Sequence, residues 1–570
     1  MSRLQAALVG IFVLLFVARA LDIGRRYNHT FDEPTQIASG LELWQYGTFV
    51  LHDDAPPLAK LLVSAPAYLA GVRLDAPPER AGWKKAHTLL YRSGRYWFVL
   101  RSARAVNTVV GALLVILLAW TAASAWGGWA GVAAACAAGF SPGVVSAASI
   151  ANSDVLGVLS LLVTLLAFRR LLRRGDLAGA ALFALALAAA LVSKLSALPF
   201  LAFALPVMAA FIARRQVWAA LRHPLAFSRA HAAVIAAIVV IVPFAIWAAY
   251  GFHLAPPVGE LQATTLAQAL RPRAPWLASL VGHLWSVPLP LGGFARGVGV
   301  AYNIARLGHP AYFMGEYSLH GWPTYFLVTL LLKVPLGFLA AVLASTVLAV
   351  RRRGTAEGRE VLLWLCTCAA ILASVSRAGI NAGHRHVLVV EALFALVAAG
   401  GIAVGLGSES RRGRLAGAVI TAALLLGAAA SLRAHPDALG YTNLLAGRDP
   451  DWWFVDSNLD WGQDLERLRK ELAARGISDE IHFAYFGAAE PERHGIRFRD
   501  LAPGERATGW IAVSVHYLRG MRDSGVGSLP DRERREGYAW LLREVPVARI
   551  GTSIRLYHLA GSEAQAHDRR

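Results

Sequence analysis

The chain has 570 residues, of which 56% are hydrophobic and 16% charged, and its mean hydropathy is +0.47. A soluble protein of this length cannot bury so much apolar surface, so the composition excludes a soluble globular enzyme and predicts a polytopic membrane protein. The formal net charge of +19 comes largely from arginines in short clusters between apolar runs, which favours topology signals over a nucleic-acid-binding face.

Apolar runs long enough to span a bilayer, about 20 residues each, recur along the chain. The first, from Leu4 to Leu21, follows Arg3 and lacks a convincing small-residue cleavage site, so we expect a retained helix rather than a signal peptide. The run from Leu177 to Ile212 is too long for one span, and Lys194 divides it. The pattern predicts about eleven transmembrane helices, near residues 4–22, 98–124, 128–148, 155–171, 177–193, 196–213, 232–251, 324–349, 361–377, 386–406 and 415–432.

The arginine clusters predict the orientation of these spans. They fall in alternate loops, near residues 169–174, 214–229, 351–359 and 411–414. The intervening short loops hold only Lys194, or Arg377 with Arg385. By the positive-inside rule the N-terminus is cytoplasmic and the C-terminus lies outside.

Three segments then face outward: loops at about 23–97 and 252–322, and a C-terminal domain at 433–570 that follows a membrane domain at 1–432. Helical spacing of apolar residues in the first loop, from Pro34 to Tyr46 and after Pro56-Pro57, predicts two short interfacial helices; the alternative is a plain loop anchored by its aromatic residues. The C-terminal domain alternates strand-like and amphipathic helical runs, which predicts a small α/β or α+β fold. The predicted strands are Ile481–Phe486, Gly509–Val515 and Arg549–Leu556, and the predicted helices are Asp464–Ala474 and Arg532–Glu544.

Carboxylates from two separate segments are expected at the outer membrane face. Asp32 and Glu33 follow the first span, and Asp154 stands at the outer end of the third. Each aspartate could serve only as a helix N-cap. However, paired acids at membrane depth are costly unless they face a cavity, which favours a functional site.

Basic residues accompany these acids on the same side. Lys60 lies in the first outer loop, Arg101 and Arg104 open the second span, and Arg385 and His386 open the tenth. A single arginine at a span's end often only reaches the head groups. Several that converge with carboxylates instead indicate a pocket for an anionic, membrane-embedded substrate.

Short motifs follow one another along the chain in an order that one membrane-protein family shares. They are Phe31-Asp32-Glu33 with Asp53-Asp54-Ala55-Pro56-Pro57-Leu58-Ala59-Lys60, then Arg104-Ala105-Val106-Asn107, Asn152-Ser153-Asp154, Gly315-Glu316-Tyr317 with Gly321-Trp322, Asn381-Ala382-Gly383-His384-Arg385-His386, and the segment Asp456 to Leu465. In these motifs the chain resembles the protein O-mannosyltransferases and their bacterial relatives, which are GT-C glycosyltransferases that use polyprenyl-phosphate-linked sugars. The resemblance covers most of the membrane part and the start of the outer domain. Ala55 departs from it, since the family usually has histidine there, and His52 is out of register.

The resemblance implies an inverting transfer of a sugar from polyprenyl phosphate to an acceptor hydroxyl, at the outer face of a bacterial inner membrane. Asp32 would be the base, Glu33 would orient the acceptor or the sugar, and Asp154 would hold the sugar, an arginine or a divalent ion. The groups that would hold the donor phosphate are Arg104, Arg385, His386, Lys60 and Arg101, and Glu316 would belong to the acceptor-side loop. No cofactor is required, and metal dependence stays open.

Two other functions remain compatible with the sequence. The acceptor could be a lipid or glycan instead of a protein Ser or Thr, as in the aminoarabinose transferases of lipid A. The chain could also be a lipid-linked sugar flippase or a transporter. A transporter should show inverted repeats and matching broken spans, and neither is found in the sequence.

Overall fold

The computed structural model describes residues 1–52, 55–75, 83–213, 229–257, 271–272, 274–522 and 525–560. Helices make up most of the chain before residue 434. They are α1 (Arg3–Arg26), α2 (Glu33–Tyr46), α3 (Pro57–Leu69), α4 (Trp83–Arg92), α5 (Tyr96–Trp126), α6 (Gly128–Gly139), α7 (Pro142–Ala148), α8 (Asp154–Arg174), α9 (Leu177–Ser193), α10 (Ala197–Ile212), α11 (Arg229–Ala249), α12 (Pro275–Ser286), α13 (Gly292–Leu307), α14 (Tyr325–Lys333), α15 (Leu336–Arg351), α16 (Ala356–Val375), α17 (Leu388–Leu406) and α18 (Arg411–Arg433).

The protein is a multi-pass membrane protein. Within the described ranges, seven helices are long and apolar enough to cross a membrane, or nine if each of two bent pairs counts as one span. Two further predicted spans coincide with α9 and α10, which have 17 and 16 residues and are shorter than the usual crossing length. Every predicted span thus corresponds to a helix or to a bent pair, and the total of eleven crossings stays a prediction.

Two predicted spans are bent instead of straight. The pair α6 and α7 turns by 66°, and the pair α14 and α15 turns by 113°. Pro142 and Pro335 stand at the two breaks, where a proline cannot donate the backbone hydrogen bond that would continue the helix. The bends matter for function because both lie at the end of the bundle that holds Asp154.

The first outer loop contains the two predicted short helices, α2 and α3, which pack against each other. Ile37 and Leu41 of α2 and Val63 of α3 are buried in one apolar cluster. The helices cross at Gly40, where a Cβ atom would stand 2.1 Å from the carbonyl oxygen of Lys60, so only glycine permits this approach. Their position in the membrane interface stays a prediction. Asp53 and Asp54 lie outside the described residues.

After α18 the chain forms a small domain around a mixed five-stranded sheet. Its elements are α19 (Leu465–Ala474), β3 (Ile481–Ala484), β4 (Phe498–Asp500), β5 (Gly509–Ser514), α20 (Val515–Leu518), α21 (Arg532–Glu536), β6 (Ala548–Ile550) and β7 (Ile554–Leu559), and a hairpin of β1 (Ala311–Phe313) and β2 (Glu316–Ser318) precedes α14. The strand order is β4-β3-β5-β7-β6, with parallel pairs around β3 and antiparallel pairs around β7. The single strand predicted at Arg549–Leu556 is in fact two, β6 and β7, because the chain turns at Gly551 with φ 53°.

Candidate active site

Asp32 occupies the N-cap position of α2, but its side chain makes no capping hydrogen bond. Its Oδ2 instead accepts a hydrogen bond of 2.9 Å from Nη1 of Arg385. The Asp32 side chain keeps 35% of its surface exposed, although protein surrounds it closely. Burial raises the pKa of Asp32; Arg385 opposes this effect, while the charges of Asp456 and Asp154 add to it. A carboxylate with a raised pKa and an open side suits proton transfer better than helix capping.

Arg385 joins two cavities next to Asp32. It lies in the 3-10 helix His384–Val387, just before α17, and its guanidinium carbon is 4.4 Å from the centre of the Trp461 ring. Both are clefts open to solvent, and the space inside them, with that open solvent included, is about 440 Å³ in one and about 310 Å³ in the other. Arg385 and Asp154 line both of them. Arg385 therefore links Asp32, to which it donates, with the cavities that Asp154 lines.

Asp154 is buried at the first turn of α8, where it is held on both oxygens. Oδ2 accepts a 2.8 Å hydrogen bond from the Asn152 side chain, and Oδ1 forms an ion pair with Lys194. Lys194 stands between α9 and α10 and lines the smaller cavity. Sequence reasoning used this lysine to divide two spans and to assign the side of their loop, and gave it no role in the site. The signal that could have found it is its position as a lone cation at the outer end of an apolar run.

Glu33 and Arg104 form a buried pair that the structure separates from the cavities. Arg104 donates to Glu33 through Nε at 2.7 Å and Nη2 at 2.6 Å, and both side chains are at most 2% exposed. Its other N–H groups donate to the backbone carbonyls of Gly24, Tyr27 and Asn28. All five donors of Arg104 are thus used within the protein, which favours a structural role over the predicted contact with a donor phosphate.

The remaining predicted site residues occupy different places. Lys60 is buried and donates to the backbone carbonyls of His52 and Ala55, so it holds the loop before α3. Arg101 is exposed and stacks on Trp97 at 4.7 Å, as expected of a head-group anchor. Glu316 is exposed on β2. His386 lines the smaller cavity beside Lys194.

Sequence reasoning missed two charged residues at the larger cavity, Lys333 in its wall and Glu391 behind His384, which is also in the wall. Lys333, at the end of α14, donates to the carbonyls of Leu439 and Asn458 and lines the cavity wall. Glu391 of α17 is buried and accepts a 2.6 Å hydrogen bond from His384. Both are charged residues inside apolar spans, which is a recognisable signal of a functional cavity.

The turn Asp456–Asn458 fixes the loop that carries Arg385. Oδ1 of Asn458 accepts a hydrogen bond from the backbone N–H of His384 at 2.8 Å. Gly383, with φ 112°, approaches this turn so closely that a Cβ atom would stand 2.2 Å from Oγ of Ser457. A glycine at this point therefore allows the two segments to meet.

The sheet domain also contacts the Asp32 segment directly. Asn28 donates to the carbonyl of Gly462 at 2.6 Å and accepts from the N–H of Leu465 at 2.9 Å. Phe31 stacks on Phe486 with ring centres 5.6 Å apart, and Phe486 stacks on His516 at 3.8 Å. The domain therefore supports the site and contributes one of its walls, Trp461.

No cluster of three or more histidine, cysteine or carboxylate side chains suited to a metal ion occurs in the part of the chain that the structure describes. The three cysteines, Cys136, Cys366 and Cys368, are not paired in disulfides. The polar groups of the site are thus carboxylates set against arginine and lysine side chains. Such an arrangement can accept a proton and hold an anion at neighbouring positions.

Part of the candidate site lies in a range of the chain that is similar to a known protein family. Residues 9–254 match the family described as dolichyl-phosphate-mannose-protein mannosyltransferase. This range contains Asp32, Glu33, Lys60, Arg104 and Asp154. A comparison with curated proteins gives no match.

Three solved structures show similarity at low sequence identity. The oligosaccharyltransferase of Archaeoglobus fulgidus in the apo form is 13% identical with a TM-score of 0.39, and the alignment covers 75% of this chain and 56% of that one. The same enzyme tethered to an acceptor peptide is 12% identical with a TM-score of 0.40, covering 76% and 55%. This chain thus spans a little over half the length of that archaeal enzyme. ArnT from Cupriavidus metallidurans bound to undecaprenyl phosphate is 12% identical with a TM-score of 0.29, covering 97% of each chain. The family match confirms the resemblance predicted from the motifs over residues 9–254, where the chain is similar to the dolichyl-phosphate-mannose-protein mannosyltransferase family.

Proposed function

We propose that the protein is an inverting glycosyltransferase that moves a sugar from a polyprenyl-phosphate donor to an acceptor hydroxyl at the outer face of the membrane. The observation that carries this proposal is that Arg385 and Asp154 line the same two cavities while Arg385 also donates a hydrogen bond to Asp32. The family match of residues 9–254 supports the same class of reaction.

In the proposed reaction Asp32 accepts the proton of the acceptor hydroxyl. The acceptor oxygen forms a bond to the anomeric carbon from one side while the bond from that carbon to the phosphate oxygen breaks on the other. The electron pair of the broken bond stays on the phosphate, and the configuration inverts. A positioned carboxylate whose pKa lies near the operating pH contributes about 10²–10⁴-fold to the rate of such a step. Burial raises the pKa of Asp32 in this direction.

Arg385 and Lys194 are our candidates for the groups that meet the leaving phosphate. Both line the smaller cavity, and each already neutralises a carboxylate, Asp32 and Asp154 respectively. Cations placed before the reaction stabilise the charge that develops on phosphate without a general acid. His386 lines the same cavity and supplies a further polar group.

Glu33 and Arg104 have a positioning role in this account. Their buried pair ties the end of α1 to α5, and the Glu33 carboxylate also accepts the backbone N–H of Ala151 at 2.8 Å. The pair therefore fixes the Asp32 segment relative to the Asp154 segment. A buried ion pair that is fully hydrogen-bonded can hold one arrangement even where its net stabilisation is small.

The proposal is tested by identifying the product in cells. Glycoproteins and lipid A from a strain that lacks the gene should be compared by mass spectrometry with those from the parent. We expect a single hexose or pentose to be missing from one acceptor class, and expression of the wild-type chain to restore it while the Asp32→Asn variant does not.

Two outcomes would contradict the proposal. Unchanged glycoproteins and lipids would remove the transferase assignment. Full restoration by Asp32→Asn would show that Asp32 transfers no proton, as expected for a flippase or transporter with no chemistry at this cavity.

A further inference from the structure

A large groove lies at the end of the bundle opposite the candidate active site. It runs between α5 and α8, and the space inside it, with open solvent included, is about 860 Å³, more than in either active-site cavity measured in the same way. Its walls carry Trp120 and Ser124 of α5 and four arginines of α8, namely Arg169, Arg170, Arg173 and Arg174. Nothing in the proposed reaction uses this groove.

The length of α8 places the groove at the other membrane surface. The helix begins at Asp154, in the active site, and ends at Arg174, in the groove. A helix of 21 residues is about 30 Å long, which is the thickness of the hydrocarbon core of a bilayer. The groove therefore lies at the level of the head groups of the opposite leaflet.

Two of the four arginines form no ion pair among the described residues, although the charge of Glu360 also acts on Arg173. Arg169 forms an ion pair with Glu360 of α16, and Arg170 lies 3.7 Å from Asp176. Arg173 and Arg174 pair with no carboxylate in the described ranges of the chain. Two guanidinium groups thus line a groove that is open to an anion, and their planar forks match phosphate oxygens.

The groove continues into an apolar stripe on α5. Val109, Leu113, Ile116 and Trp120 are all exposed and follow one another at intervals of three or four residues, so they lie on one helix face. The stripe extends from the groove toward the middle of the membrane. Tryptophan at its end combines an apolar ring with an N–H group, as is usual at the head-group level.

We propose that this groove binds the phosphate head group of an anionic glycerophospholipid from the leaflet opposite the active site, with its acyl chains along the stripe on α5. A cluster that acted only as a topology signal would need positive charge but neither a cavity nor an adjoining apolar track. Basic pockets between membrane helices recognise anionic lipids through both parts of the molecule.

Native mass spectrometry of the delipidated full-length protein tests the proposal, with phosphatidylglycerol and tetraoleoyl cardiolipin as probes and phosphatidylcholine as the neutral lipid. The variant R173Q/R174Q removes the charges of the two groove arginines that form no ion pair. R411Q/R412Q is the matched control, since it removes the same charge from exposed residues at the start of α18, away from the groove.

We expect R173Q/R174Q to weaken binding of the anionic lipids by at least about tenfold, and the control variant to change it less than about twofold. Trp120→Ala should also weaken binding of the anionic lipids, although it leaves the charges of the groove arginines unchanged. Equal weakening by both double variants would overturn the proposal, because general charge would then explain the binding. Full competition by millimolar inorganic phosphate would also overturn it, because the site would then take a soluble anion.

Discussion

At the scale of single residues, Arg385 contacts more parts of the candidate site than its sequence motif indicated. Its guanidinium donates to Asp32, stacks on Trp461 and lines both cavities. This combination needs the planar shape of the guanidinium as well as its charge. Lysine has the charge but can neither form two parallel hydrogen bonds to one anion nor stack on an aromatic ring in the same way.

Arg385→Lys is therefore expected to lower turnover more than donor affinity. The lost interaction grows as charge develops on the leaving phosphate, so we expect a loss of about 1–3 kcal/mol in the activation barrier. Turnover and donor binding of the purified variant in lipid nanodiscs provide the measurement. Arg101→Lys is the control, because Arg101 is exposed and stacks on Trp97 outside the site. Equal turnover in the two variants would show that Arg385 contributes only charge.

The pH dependence of the reaction should report the surroundings of Asp32. A base acts only when deprotonated, so activity falls as the pH drops through its pKa, and burial raises that pKa above the usual value for aspartate. The charges of Asp456 and Asp154 also raise the pKa, and Arg385 lowers it. Asp456→Asn removes one of the raising charges, so we expect the acidic limb of kcat/KM to move to lower pH.

Asparagine suits this test because Asp456 has φ 58°, a left-handed conformation that asparagine tolerates well. Asp449→Asn, at an exposed aspartate paired with Arg549, is the control that should leave the limb in place. A limb that moves to higher pH in Asp456→Asn would mean that Asp32 is not the group that titrates.

At the scale of elements, hydropathy predicted the positions of helices well and their bends poorly. The span expected at 386–406 is the helix Leu388–Leu406 preceded by a short 3-10 helix, whereas the span expected at 324–349 is divided by a 113° bend at Pro335. A hydropathy average over a window gives no information about the direction of the helix axis, so it cannot predict a bend, although Pro335 is visible in the sequence. Contacts such as that between Glu33 and Arg104, which are 71 residues apart, depend on packing that no local pattern encodes.

The sheet domain illustrates the same limit. Its strands at 481 and 509 and the helix α19 follow their predicted positions closely. Its role as a wall of the cavity could not be predicted, because the position of Trp461 depends on long-range contacts of the folded protein, such as those of Asn28 and Phe31 with the domain.

Buried histidines in and beside this domain predict how its stability changes with pH. Burial lowers the pKa of His516 to about 4, of His29 to about 3 and of His87 to about 4. Between these values and about 6.5 the unfolded chain binds protons that the folded protein does not, so stability is lost as the pH falls through this window. Two aspartates oppose the trend, because burial raises the pKa of Asp464 to about 6 and the pKa of Asp460 well above the usual value for aspartate.

We expect His516→Phe, which keeps an aromatic ring against Phe486, to reduce the drop in Tm between pH 7.5 and pH 5. The contribution of His516 over this interval is about 2 kcal/mol. Thermal unfolding of the purified protein at the two pH values gives the result. His558→Phe, at an exposed histidine, is the control. An unchanged drop in His516→Phe would mean that this histidine is not held neutral in the folded state.

At the scale of the whole molecule, the helices separate two chemically different ends. Asp32, Asp154, Arg385 and the sheet domain lie at one end, and the arginine-rich ends of α8 and α15 lie at the other, where Arg169 pairs with Glu360 and Arg352 with Ser408. The positive-inside rule predicts that the arginine-rich end is cytoplasmic.

The orientation can be tested with single cysteines at two exposed positions, Glu409 and Glu480, in a variant without the three native cysteines. A membrane-impermeant thiol reagent applied to intact cells with a permeable outer membrane should label the cysteine at 480 and not that at 409. The reverse pattern would place the candidate active site in the cytoplasm.

The central claim is that the site formed by Asp32, Arg385 and the cavities that Arg385 lines transfers a sugar from a polyprenyl phosphate. The direct measurement is the release of polyprenyl phosphate from a synthetic β-linked polyprenyl-phosphate hexose by the purified protein in nanodiscs, with an extract of membrane proteins and lipids as acceptor. We predict release by the wild-type protein, an α-linked product, and a rate about 10²–10⁴-fold lower in Asp32→Asn with donor binding nearly unchanged. Equal rates in the two proteins, or a product that keeps the configuration of the donor, would contradict the account.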